Sequence, residues 1–194
     1  MPQASRQGEP EPAIIFSLGH STHPLEELLA LLREHQIAAL VDVRSFPGSR
    51  RWPQFNRAAL AESIPAAGVQ YHWLKELGGR RHGPPAGSPH VAWQLPAFRA
   101  YADYTASAEF AHGLQQLTSI GRRSRTAFMC SEGLWWRCHR RIISDHLTIL
   151  GWQVMHIMPD GKLVRHKLPP FARVEHDNIT YDRELANSPG PRPA

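Results

Sequence analysis

Phe128-Met129-Cys130-Ser131-Glu132-Gly133-Leu134-Trp135-Trp136-Arg137-Cys138-His139-Arg140-Arg141 holds both cysteines of the chain, a carboxylate, a histidine and three arginines within fourteen positions. The apolar run at 127–129 leads into this stretch and reads as the end of a buried strand. From 136 to 150 the residues Ile142, Ile143, His146, Leu147 and Leu150 recur at helical spacing, and Gly151 suits the position just past a helix end. A strand passing at once into a helix, with reactive side chains on the turn between them, is how an open α/β sheet builds its active site.

The same alternation extends to either side. Residues 14–18 read as a strand, and 24–35 as a helix in which Leu25, Leu28, Leu29 and Leu32 make an apolar stripe. Pro24 near its start and Glu26 and Glu27 in its first turn suit a helix N-terminus. Residues 38–43 read as a buried strand that carries Asp42 near its tip, Asn56 as the N-cap of a helix to Ala67, and 69–73 as a third strand. A Gly- and Pro-rich loop at 78–96 is too long to be a mere connector. Residues 98–120 read as helix in two pieces broken near Ser107, 126–130 as the fourth strand and 153–158 as the fifth. Pro159-Asp160-Gly161-Lys162 is a turn signal that lets 163–168 pair back as an edge hairpin. Strands separated by helices predict parallel pairing with right-handed crossovers: an α/β fold, a three-layer α/β/α sandwich with a mostly parallel, Rossmann-like sheet of about five strands. Residues 1–12 read as a flexible N-terminal tail, 13–170 as a single α/β domain and 171–194 as an extended C-terminal tail.

With 42% hydrophobic and 20% charged residues in 194 positions, the composition is that of a globular domain and excludes fibrous and disordered classes. The apolar runs are a few residues long, far below the roughly 20 needed to cross a bilayer. No membrane span or signal peptide is expected, and two cysteines do not make a secreted disulfide framework, so the cytoplasm is the expected location. The net charge is +5, and 19 arginines stand against three lysines. Guanidinium is a planar donor fork suited to phosphate, so the bias is compatible with an anionic partner.

Ligands of open α/β sheets gather beyond the carboxyl ends of the strands. There the chain places His20 and Ser21, Asp42 and Arg44, residues 75–81, and the Cys130 loop. Five ordered motifs across roughly residues 14–158 carry a family resemblance: Ser17-Leu18-Gly19-His20-Ser21; Val41-Asp42-Val43-Arg44 with Pro47 and Ser49-Arg50; Pro53-Gln54-Phe55-Asn56; Leu77-Gly78-Gly79-Arg80; and Cys130-x-Glu132 with Cys138-His139-Arg140-Arg141. They resemble the family called domain of unknown function 488. The resemblance implies the fold and the position of the site and leaves the reaction open. In one place the chain departs from that pattern, with Gly133-Leu134-Trp135-Trp136 where a more polar insert is expected, so the tryptophans could form a stacking wall.

The catalytic candidates are His20, Asp42, Cys130, Glu132 and His139. The anion- or phosphate-binding candidates are Ser21, Arg44, Arg50, Arg80, Arg137, Arg140 and Arg141. Cys130, at a strand end beside cationic residues, suits a thiolate, or else packs as an inert buried thiol. No cofactor is expected. A zinc ion would take Cys130, Cys138 and His139, although their spacing is not a standard zinc pattern, and the two cysteines could instead form a reversible disulfide. The interval from Cys130 to Arg137 is one residue longer than a Cys-x5-Arg phosphatase loop. Asp42 and Arg44 share a strand face and make either a simple ion pair or an orienting group for His20 with a phosphate clamp. Residues 44–57 interleave cations with Trp52 and Phe55, as single-stranded nucleic-acid binders do, and Arg80 and Arg81 after Gly78-Gly79 suit a flexible lid. Together these favour an enzyme, a hydrolase or transferase, acting on a nucleotide or nucleic acid through a phosphate-bearing ligand. The alternatives are a non-catalytic nucleotide- or nucleic-acid-binding module and a thiol-dependent sulfur or phosphoryl transferase of rhodanese or phosphatase type.

Overall fold

The computed structural model describes residues 12–83 and 86–182. The four most apolar runs form its centre: β1 (Ile14–Gly19), β2 (Ala39–Asp42), β4 (Thr126–Cys130) and β5 (Gln153–Ile157). With β3 (Gln70–Trp73) and β6 (Leu163–Arg165) they make a six-stranded sheet in the order β3-β2-β4-β1-β5-β6. Every pairing is parallel except that of β6, which returns antiparallel along β5 after the 159–162 turn. The sheet thus has one strand more than expected, and that strand is the edge hairpin.

Alternation along the strands sends side chains to two separate cores. Phe16, Leu18, Leu40, Ala127 and Met129 pack under α1 (Leu25–Glu34) and α2 (Arg57–Ala66), through Leu28, Leu32, Leu60 and Ile64. Ile15, Val41, Val43, Phe128 and Cys130 pack on the opposite face under α3 (Pro96–Tyr104), α4 (Ala108–Arg123) and α5 (Arg140–Ile149). The result is a three-layer α/β/α sandwich. The helices change face between β3 and β4, and β4 sits between β1 and β2. At the carboxyl ends of β1, β2 and β4 adjacent chains therefore leave toward opposite faces, which opens a crevice there.

Ser107 caps α4, accepting a hydrogen bond from Phe110 N at 3.2 Å, so the break expected near it is the boundary between α3 and α4. Asn56 precedes α2, but its Oδ1 accepts from Ser49 N and makes no cap bond. The helix expected from 136 begins only at Arg140, after a 3-10 turn at Trp135–Arg137 and extended backbone at Cys138.

The extended tail expected from residue 171 is corrected for its described part. β7 (Ala172–Glu175) and β8 (Asn178–Tyr181) form an antiparallel hairpin, and Phe171, Ile179 and Tyr181 enter the core beneath α3–α5. Burial of these three side chains holds the segment in place: Trp93 meets Phe171 and Tyr181 edge-on, with ring centroids 5.1 and 5.2 Å away. The expected tail at 1–12 falls outside the described residues except for its last position, as does 183–194. No described helix is long and apolar enough to cross a membrane.

Candidate functional site

Beyond the tips of β1, β2 and β4 lies a cavity of about 940 Å³. From the sequence-derived candidates it gathers His20, Ser21, Arg44, Arg80, Cys130, Glu132, Arg137 and His139, with Cys138. Ser45, Phe46, Trp52 and the run from Leu95 to Phe98 complete the wall. Glu132 is the single carboxylate among the described residues that line it.

The floor is the turn after β4. Gly19 pairs with Cys130 across the sheet, and a Cβ at position 19 would fall 1.9 Å from the Glu132 carbonyl oxygen, so only glycine lets β1 end this close to the loop. Cys130 and Cys138 are buried free thiols. His139 Nδ1 lies 3.4 Å from Cys138 Sγ and 3.9 Å from Cys130 Sγ. Its other nitrogen, Nε2, lies 3.0 Å from the Val43 carbonyl, which can only accept, so Nε2 carries the proton and donates. The Nδ1 lone pair therefore faces the sulfurs. A hydrogen bond from Cys138, with the Glu132 amide close by, holds the Cys130 thiol well below its ordinary range, whereas burial pushes Cys138 up.

Gly79 fixes the histidine ring from above. A Cβ there would stand 2.4 Å from His139 Nδ1 and 2.6 Å from Cγ, so any side chain would displace the imidazole. The sequence reads Arg80 and Arg81, after this glycine pair, as a flexible lid. In the structure the pair gives close packing, and Ser45 Oγ accepts from Arg80 N at 3.0 Å to hold the segment against β2.

The tip of β2 is built differently. Asp42 is fully buried and accepts from Arg44 Nε at 2.8 Å, Arg44 Nη2 at 2.5 Å, the Arg44 amide at 3.0 Å and Tyr71 Oη at 2.8 Å. Arg44 also donates to the Phe55 carbonyl at 2.9 Å and to His20 Nε2 at 3.1 Å. Asp42 does not line the cavity and does not touch His20, because Arg44 stands between them; it is the ion-pair partner of Arg44 and not a general base. His20 faces the cavity because Ser21 takes a left-handed backbone, φ 50°. Its Nδ1 donates to the Ser21 carbonyl, its ring stacks 3.9 Å from Phe55, and burial beside Arg44 lowers its pKa to about 4. Both ring nitrogens are engaged, which removes His20 as a free acid or base.

Three arginine candidates stand apart from the cavity. Arg140 is buried, donates to Ser17 Oγ at 3.0 Å and to the carbonyls of Glu132 and Gly133, and so pins the loop to β1. Arg141 lies on the other side of α5, its guanidinium 4.8 Å above Trp93 and 5.5 Å from Phe171. Arg50 is exposed outside the lining. The Leu134 amide donates to Glu132 Oε1 at 3.2 Å and the Arg137 amide to the Leu134 carbonyl, so neither is free for an oxyanion.

Sequence reasoning missed a second polar network behind the same turn. His166 pairs with Asp145 at 2.8 Å and with His156 at 2.9 Å, and Tyr181 Oη donates to Asp145 at 2.8 Å. Trp135 stacks on His156 with centroids 4.1 Å apart, so the network backs the tryptophan turn and faces away from the cavity. The pairing of β5 with β6 brings His156 and His166 together, and the expected edge hairpin was the one signal for it.

A mostly parallel α/β sheet with a polar crevice at its carboxyl edge defines the class. The family model described as domain of unknown function DUF488 matches residues 24–147, and the chain belongs to that family. No curated protein and no solved structure matches the chain.

Proposed function

We propose that the cavity is the active site of an enzyme, a hydrolase or transferase, acting on a nucleotide. The observation that carries this reading is the convergence, in one crevice, of Cys130, Cys138, His139 and Glu132 on the floor with Arg80 and Arg137 in the wall. Its volume lies at the upper end of small-ligand sites, about 300–1,000 Å³, and suits a nucleotide. Arg80 and Arg137 supply phosphate contacts, since Arg44 is neutralised by Asp42. Trp52 and Phe46, the latter 74% exposed, offer flat faces for a base. Glu132 takes the acid–base role that His20 cannot fill, and the Cys130–His139 pair supplies the reactive centre.

The test is equilibrium binding of a fluorescent AMP analogue and of a short single-stranded oligonucleotide at two salt concentrations. Arg137→Ala is expected to weaken AMP binding about tenfold, the size of one charge-assisted phosphate contact. Absence of binding by wild-type protein would sink the reading. Binding of the oligonucleotide alone, with a steep salt slope, would replace it with the nucleic-acid-binding module.

A further inference from the structure

We propose that Cys130, Cys138 and His139 form a site for one zinc ion whose fourth coordination position opens into the cavity. Zinc bonds of about 2.3 Å to sulfur and 2.1 Å to nitrogen, set at the tetrahedral angle, place sulfur and nitrogen about 3.6 Å apart. The two distances here are 3.4 and 3.9 Å, and all three donor atoms lie within 4.8 Å of one another. The two sulfur–nitrogen distances therefore match the spacing of a coordination sphere.

Three further features suit an ion. The imidazole is held in the ligating tautomer by an outer hydrogen bond, since Nε2 donates to the Val43 carbonyl and leaves the Nδ1 lone pair toward the sulfurs. Cys138 and His139 are neighbours in sequence yet converge, because Cys138 takes extended backbone (φ −129°, ψ 151°) between the 3-10 turn and α5. Two thiolates with one divalent ion carry no net charge, which suits donors this deeply buried. Four-ligand structural sites close around their metal, whereas three protein ligands facing a crevice leave a position for water or substrate. Glu132 lines the same crevice. The metal site stands on its own geometry, and only the role of its open position rests on the enzymatic reading above.

Full-length protein purified without added metal is expected to carry close to one zinc per chain by mass spectrometry. Stripped with chelator and given Co2+, it should show a thiolate-to-cobalt charge-transfer band and tetrahedral d–d bands. Cys130→Ser and His139→Ala should abolish both signals. Should either variant fail to fold, the wild-type thiols decide: both should react with a disulfide reagent in stripped protein and become protected on adding Zn2+. Thiols that react equally with and without Zn2+ overturn the site. AMP added to the cobalt form should shift the d–d bands. Bands that stay fixed while AMP binds overturn the open position. AMP binding to stripped protein is read separately by fluorescence, so failure of the zinc site and failure of the nucleotide reading are distinct results.

Discussion

At the tip of β2, Asp42 accepts four hydrogen bonds, and the guanidinium it holds goes on to bond His20 and the Phe55 carbonyl. At the tip of β4, two thiols and an imidazole lone pair face one another on the floor of a cavity, held in place from outside by Val43, Gly79 and Arg140. Both clusters are dense in ionisable residues, and both lie at the same sheet edge. The first is closed on itself and its polar capacity is used internally; the second is supported from behind and keeps its donor atoms toward the cavity. Saturation of hydrogen bonds, more than density of charge, separates the structural cluster from the candidate reactive one.

The sharpest way to break this comparison is to remove one member of each cluster. Asp42→Ala leaves Arg44 buried without its counter-charge and is expected to cost about 3–5 kcal/mol in urea unfolding. Cys130→Ala in chelator-treated protein removes one buried sulfur and is expected to cost about 1 kcal/mol. Equal losses would mean that the thiol cluster also holds the fold together.

A second test concerns acid. His146 on α5 is buried against Phe110, with Nε2 unpartnered, and burial with His90 nearby lowers its pKa from 6.5 to about 4. The unfolded chain takes up this proton first, so stability is full above pH 6.5 and falls as pH drops toward 4. The loss approaches about 3 kcal/mol for this one group. His146→Leu should remove that share, giving a shallower acid limb than wild type in unfolding curves taken between pH 7 and 4. An unchanged limb would show that the ring is solvated.

Third in size is Tyr181→Phe. It deletes one of the two hydrogen bonds to buried Asp145 and is expected to cost about 1.5–3 kcal/mol, read from the thermal or urea midpoint. Because Tyr181 ends the C-terminal hairpin, amide exchange in 172–181 should rise with it. A neutral result would detach the hairpin from the network that backs Trp135.

These clusters also mark how far sequence carries. Long apolar runs made β1, β2, β4 and β5 legible, and the i, i+2 spacing made the Asp42–Arg44 pair legible. Tyr71 was not, because its bond to Asp42 depends on the β2–β3 register, 29 residues away. The hairpin was hidden because Arg173, Glu175 and Asp177 dilute its apolar pattern, and only the packed core shows that Phe171, Ile179 and Tyr181 point inward. Arg140 and Arg141 sat next to the reactive residues in sequence, yet the start of α5 sends one to the loop behind the site and the other to Trp93. The Leu95–Phe98 wall joins the end of a long loop to the first turn of α3, with no periodicity to announce it.

The smallest expected effect on stability is also the clearest on function. Arg137 is exposed at the end of the tryptophan turn, so Arg137→Ala should leave the unfolding free energy within about 0.5 kcal/mol of wild type. Arg140→Ala, three residues on, should destabilise, since it strips a buried guanidinium from Ser17 and from the loop carbonyls. Measured side by side with AMP binding, the pair separates the two ways an arginine can serve this turn. Arg137→Ala should lose affinity without stability. Arg140→Ala should lose stability first, with affinity following only as the Glu132–Gly133 carbonyls come free and the loop shifts. If Arg137→Ala left AMP affinity intact, the phosphate contact would have to pass to Arg80, and Arg80→Ala would then carry the tenfold loss.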